Sequence, residues 1–161
     1  MIRNLTEADS QRILDIYRMG LETRNATFET TAPTWKDWDI THLPHSRFVY
    51  IENNMVLGWC ALSPVSKRQA YAGVAEISVY VDTYELGKGI GSNLMEALIT
   101  SSEKHGIWTL YSSVFPENKA TLKLHHNFGF RIIGTREKIA KLDNQWRDTV
   151  ILERRSIKVG K

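Results

Sequence analysis

Glu76 and the three glycines Gly87, Gly89 and Gly91 are the residues whose types and spacing most directly suggest chemistry. Glycine admits positive φ angles and close approach of a ligand to the backbone. Several peptide N–H groups and a following helix N-terminus can therefore converge on a phosphate. A carboxylate upstream on the same strand can take a proton from whatever reacts with the phosphate-bearing molecule. The letters fit neither of two familiar phosphate loops. A P-loop needs Gly five residues before Gly-Lys and Ser or Thr after it, but Asp82 and Gly89 stand at those places. The dinucleotide pattern Gly-x-Gly-x-x-Gly fails at Leu94, and its strand comes mid-chain.

A second segment carries polar chemistry. Pro116-Glu117-Asn118-Lys119-Ala120 opens a helical pattern that closes on Leu124-His125-His126-Asn127-Phe128-Gly129-Phe130. Asn118 suits a helix N-cap. His125 and His126 point about 100° apart around a helix, so only one of them can face a given site.

These residues need a frame. Met1–Leu5 reads as a short strand, and Thr6 as the N-cap of a helix with Ile13, Ile16, Tyr17 and Gly20 on one face. The loop from Asn25 to Glu29 follows, and Thr34-x-x-Asp37 forms a capping box for a second helix holding Trp35 and Trp38. Arg47–Glu52 and Met55–Leu62 make a hairpin about Asn53-Asn54. A polar loop from Pro64 to Ala72 leads to a strand from Gly73 to Val81, a helix from about Gly89 to Lys104, a strand from Ile107 to Val114 and a helix from about Glu117 to Asn127. Phe130–Leu142 and Trp146–Arg155 close the chain as a hairpin about Asp143-Asn144. The tryptophans Trp35, Trp38, Trp59, Trp108 and Trp146 are expected mostly in the core, with Trp146 alternatively at a subunit contact.

With 161 residues the chain suits a single domain, 1–161, with enough interior to fold unstapled. One cysteine, Cys60, excludes an internal disulfide and a cysteine-based zinc site, and no metal is expected. The N-terminus has no apolar leader, and no stretch approaches the ~20 apolar residues of a membrane span, so a soluble, cytoplasmic protein is expected. The net charge of +3 would attract an anionic ligand, yet the basic residues are scattered rather than striped with aromatics, which argues against nucleic acid.

The segment Leu86-x-x-Gly89-x-Gly91 resembles the Gln/Arg-x-x-Gly-x-Gly/Ala pyrophosphate loop of the GNAT superfamily of N-acetyltransferases, with Leu86 where Gln or Arg is usual. The Asn118-to-Phe130 run resembles the segment closing the same site. Across nearly the whole chain the likeness narrows to the phosphinothricin and methionine sulfone/sulfoximine N-acetyltransferases. It is carried by Asn25–Glu29 with Pro33 and Trp38, Gly58-Trp59, Tyr71–Val81, Pro116–Phe130 and Asp143–Asp148.

That resemblance implies an α/β (α+β) GNAT fold: a mixed, mostly antiparallel sheet of about seven strands, with about four helices on both faces. It implies acetyl-CoA as acyl donor and a small amino-acid-like amine as acceptor, in a homodimer with no nucleic-acid or membrane partner. Glu76 takes the family's base position and His125 the proton donor's. Main-chain groups of Val79, Tyr80 and Val81 meet the thioester and pantetheine. Gly87, Lys88, Gly89, Ile90, Gly91 and Ser92 hold the pyrophosphate, and Asn118 sits against the coenzyme. Thr27, Phe28 and Glu29 match the loop that lines the acceptor pocket; beside that resemblance, the position of Arg68 and Tyr71 in the loop before the Glu76 strand places them to reach a substrate carboxylate or an oxidised sulfur or phosphorus centre. The competing readings are acetylation of peptide N-termini, polyamines or aminoglycosides, and a coenzyme-binding module without catalysis.

Overall fold

The computed structural model describes residues 1–161. The chain runs β1 (Ile2–Asn4), α1 (Ser10–Glu22), α2 (Trp35–Thr41), β2 (Phe48–Glu52), β3 (Met55–Pro64), β4 (Val74–Val81), α3 (Ile90–Lys104), β5 (Thr109–Val114), α4 (Lys119–Asn127), β6 (Arg131–Leu142) and β7 (Gln145–Arg155). Two turns fix the hairpin registers. Asn53 and Asn54 have φ of 50° and 61°, and Asp143 and Asn144 have 49° and 65°. Paired left-handed residues give the turn twist that matches two right-twisted strands.

All seven strands form one sheet in the order β1-β2-β3-β4-β5-β7-β6. Every pairing is antiparallel except β4 with β5. One face packs on α3, where Leu94, Met95 and Leu98 are fully buried against Leu62, Ala75, Leu110 and Leu152. The other packs on α1 and α2 through Ile13, Ile16, Trp38 and Trp59. Truncating a side chain such as Leu98 to alanine would cost about 2–5 kcal/mol, transfer and cavity terms together.

Thr6 departs from its expected role. A 3-10 turn, Glu7–Asp9, precedes α1, and Thr6 N donates to Asp9 Oδ2 at 2.9 Å, so Thr6 opens that turn rather than the helix. Trp146 departs from the core expectation: it is 57% exposed, with the Lys141 ammonium 4.9 Å from its ring centre. Gly20 does lie on the packed face of α1, where an added Cβ would come within 2.7 Å of the Tyr80 ring. No helix is long and apolar enough to cross a membrane.

Candidate active site

The parallel pairing of β4 with β5 covers only Val74–Glu76 against Thr109–Tyr111. Beyond Glu76, β4 stays with β3 as far as Val81 opposite Gly58, while β5 stays with β7 as far as Val114 opposite Val150. The two strands part in the middle of the sheet. The edges they expose carry main-chain N–H and C=O groups with no ladder partner, and a cleft of about 1010 Å³ fills the gap. Val79, Tyr80 and Val81 line one bank; Ser112, Val114 and Phe115 line the other.

Glu76 stands where the strands part and opens onto the cleft. Surrounding protein displaces enough water to push its carboxyl above the ordinary carboxylate range, and the Arg136 guanidinium pulls the other way. A base with that bias is better matched to proton abstraction near neutral pH than a free carboxylate.

His125, on α4, is 3% exposed and also lines the cleft. Its Nδ1 lies 2.7 Å from the Thr121 carbonyl oxygen and its Nε2 2.8 Å from Ser112 Oγ. A carbonyl oxygen can only accept, so Nδ1 carries the proton and the neutral ring accepts the Ser112 hydroxyl at Nε2. Burial holds the imidazole below its ordinary pKa. The neutral ring thus has no proton at Nε2 to give. When the ring is charged, Nε2–H donates to Ser112 and frees the serine hydrogen to point elsewhere.

The Asn25–Glu29 loop is fastened rather than loose. Arg147 donates to Arg24 O at 2.9 Å and Asn25 Oδ1 at 3.0 Å, and stacks 4.0 Å over the Phe115 ring. Asn118 caps α4 by accepting from Thr121 N, and donates to Asn25 O at 3.2 Å. Phe28 meets Phe115 edge-on at 4.9 Å. Thr27, Phe28 and Glu29 therefore share a wall with Asn118. Arg68 and Tyr71 do not join them: they lie outside the cleft lining, the guanidinium 5.7 Å over the tyrosine ring, on the loop between β3 and β4.

The glycine loop sits at the far end of β4. Asp82, 6% exposed, accepts from Tyr84 N at 2.9 Å and binds Arg12 Nη2 at 2.5 Å, while Arg12 Nε donates to Val56 O. Gly87 and Gly89 both have φ of +80°, and a Cβ at either would meet nothing within 4 Å. Gly89 is the N-cap of α3, so the first N–H groups of a 15-residue helix begin here without intrahelical partners. Ile90 is 3% exposed, its side chain in the core, and can offer only its backbone. Lys88 pairs with Glu85, and Ser92 is exposed. Of this loop only Leu86 lines the cleft; Gly87–Ser92 lie outside its lining, and their backbone N–H groups are of the kind that can hold a phosphate.

Sequence reasoning missed part of the wall. Tyr17, His42, Ser112 and Thr149 line the cleft, and so do Trp38 and Trp59. Three buried side-chain polar atoms have no partner, Trp38 Nε1, Trp59 Nε1 and Thr149 Oγ1, and all three belong to wall residues. Ser112 and Thr149 gave no local signal, because strand pairing rather than sequence distance brings them together.

Residues 2–151 match the family model of an acetyltransferase (GNAT) domain. YwnH of Bacillus subtilis, a candidate phosphinothricin acetyltransferase, is 32% identical over 159 residues, 95% of this chain and 97% of that protein. An L-methionine sulfoximine/L-methionine sulfone acetyltransferase of Pseudomonas aeruginosa is 25% identical over 158 residues, 94% of this chain and 92% of the other. A GNAT superfamily phosphinothricin acetyltransferase of Sinorhizobium meliloti, solved with acetyl-CoA, superposes with a TM-score of 0.87 over 96% of this chain and 87% of its own, at 24% identity.

Proposed function

The chain belongs to the GNAT acetyltransferase family, and from that premise we propose that it moves the acetyl group of acetyl-CoA directly onto the α-amino group of a small amino-acid-like acceptor. Methionine sulfone, methionine sulfoximine and phosphinothricin are the acceptors its relatives' names point to. The observation that carries this reading is the single cleft into which Glu76, the Asn25–Glu29 loop and the parted strand edges all open. One space for both molecules supports direct transfer.

When bound, acetyl-CoA supplies an activated acetyl group; the residues supply everything else. Gly87–Ser92 hold the diphosphate through backbone N–H groups, and Asn118 borders the groove. Glu76 takes a proton from the acceptor ammonium, directly or through a water, and leaves the nitrogen lone pair free to attack. Unpaired N–H groups of Val79 and Val81, the ones that alternate away from β3, stabilise the carbonyl oxygen as it gains charge. As the N–C bond forms, the nitrogen's second proton passes through the Ser112 hydroxyl to Nε2 of neutral His125, and as the C–S bond breaks the charged ring returns it by the same path to sulfur and is neutral again.

Two carboxylates, Glu29 and Glu76, line the cleft. A polycationic acceptor such as a polyamine calls for more, which favours a zwitterionic one. We also propose a cytoplasmic homodimer, supported by Ile132, Ile133, Ile139 and Trp146, which stand 63%, 49%, 48% and 57% exposed on the closing hairpin. Light scattering at micromolar concentration tests that part. Thiol release from acetyl-CoA against methionine sulfone, phosphinothricin, spermidine and a short peptide tests the acceptor class. Turnover confined to spermidine or the peptide would overturn it.

A further inference from the structure

Arg136 on β6 faces Thr149 on β7, and Thr149 lines the cleft. Cross-strand partners project to one side of a sheet, as do residues two apart along a strand. The ladders connect Arg136 to Glu76 by this rule. Glu76 is level with Tyr111; Ser113, two residues on, faces Ile151; and Thr149 lies two before Ile151. Carboxylate and guanidinium therefore rise from the same face, Glu76 on one bank of the cleft and exposed Arg136 on the edge strand two strands beyond the other, just outside the lining that Thr149 ends, and the field of Arg136 reaches Glu76.

Arg136 is uncommitted, whereas Arg3, Arg12, Arg47, Arg131, Arg147 and Arg154 each hold a carboxylate. Its stretch of β6 is pinned, because Lys138 N in the adjoining bulge donates to Asp148 Oδ1 at 2.8 Å. Thr149 is 5% exposed and its Oγ1 has no partner. A buried hydroxyl left unpaired is a cost that a ligand oxygen would remove. Beside the pair, Gly134 faces Ile151, and a Cβ there would meet nothing within 4 Å, so the floor is open.

We propose that Arg136 and Thr149 seat the acceptor's carboxylate while Glu76 receives its α-amino group. The inference rests on the acceptor class proposed above and sharpens it. The guanidinium fork offers two parallel donors to a carboxylate, and the threonine hydroxyl a third. An α-amino acid bears its ammonium and carboxylate on one carbon, so a base on one bank and a cation reaching in past Thr149 from beyond the other orient it. Peptide N-termini lack that carboxylate and are refused.

The test compares methionine sulfone with its carboxamide in the wild type, Arg136→Gln and Thr149→Val. The wild type should prefer the free acid by about 10²-fold or more in kcat/KM, and Arg136→Gln should shrink that preference to a few-fold, with the KM for acetyl-CoA unchanged. Thr149→Val should raise the acceptor KM while keeping or raising the melting temperature, since it removes an unpaired buried hydroxyl. Equal losses on acid and amide in Arg136→Gln, or an unmoved acceptor KM in Thr149→Val, would overturn the seat. Equal wild-type turnover of acid and amide overturns the seat alone. No turnover of either overturns the acceptor class and the seat with it.

Discussion

The Asn118 side chain donates to the main-chain oxygen of Asn25 at 3.2 Å, while its own oxygen caps α4 by accepting from Thr121 N. One residue thus joins α4 to the Asn25–Glu29 loop. Substitution can separate the two contacts. Asn118→Ser keeps a competent cap but is too short to reach Asn25, so stability should stay within about 0.5 kcal/mol of the wild type. The acceptor KM should nevertheless rise by roughly three- to tenfold as the loop loosens. Thermal melts with steady-state kinetics check this, and an unchanged acceptor KM would show that Arg147 and Phe115 suffice to hold the loop.

Glu76→Gln removes the base and leaves the strand in place. Turnover at neutral pH should fall by about 10²–10⁴ with acetyl-CoA affinity nearly intact. The pH profile carries a second sign. Arg136 favours the ionised carboxylate, so Arg136→Gln should let the Glu76 pKa rise further and move the acid limb of the rate profile to higher pH. A limb that moves down, or stays, removes Arg136 from the field at Glu76.

His125 should show the Nδ1–H tautomer in ¹³C or ¹⁵N spectra and titrate below the ordinary value of about 6.5. His42 is also lowered chiefly by burial. For both, the unfolded chain binds protons that the folded chain resists, so stability should decline as pH falls from about 6.5 toward the folded values. Calorimetry between about pH 7 and about pH 5.5 reads that decline. A melting temperature flat across the range would contradict the buried, neutral assignment.

What was legible in the sequence is what local chemistry decides. The Asn-Asn and Asp-Asn turns, the helix faces and the glycine cradle each depend on residues a few positions apart, and each stands in the structure where the pattern put it. Thr6 misled because a 3-10 turn can use the same capping chemistry as a helix. The parting of β4 from β5 has no signature in either strand, since Ile77–Val81 and Ser112–Val114 alternate as paired strands do. Only the ladders reveal that they diverge after Glu76. Thr149 and Arg136 were invisible for the same reason: 60 and more residues separate them from Glu76 in the chain, and two and three strand steps respectively place them on its face.

Asp82 should govern coenzyme affinity without touching the coenzyme. One oxygen holds Tyr84 N at the entry of the glycine loop and the other holds Arg12. Asp82→Asn retains an acceptor for Tyr84 but turns an amide toward the guanidinium, leaving Arg12 unpaired and costing about 1–3 kcal/mol of stability. Because the loop then enters from a loosened anchor, the KM for acetyl-CoA should rise by roughly tenfold while saturated turnover changes little. Gly89→Ala provides the control: at φ of +80° an alanine is strained by about 1–2 kcal/mol, so the cradle deforms with the Arg12 anchor intact. Titration calorimetry with acetyl-CoA should show weaker binding in both variants. Wild-type affinity in Gly89→Ala and Asp82→Asn alike would mean that the diphosphate is held elsewhere, and the assignment of Gly87–Ser92 would fall.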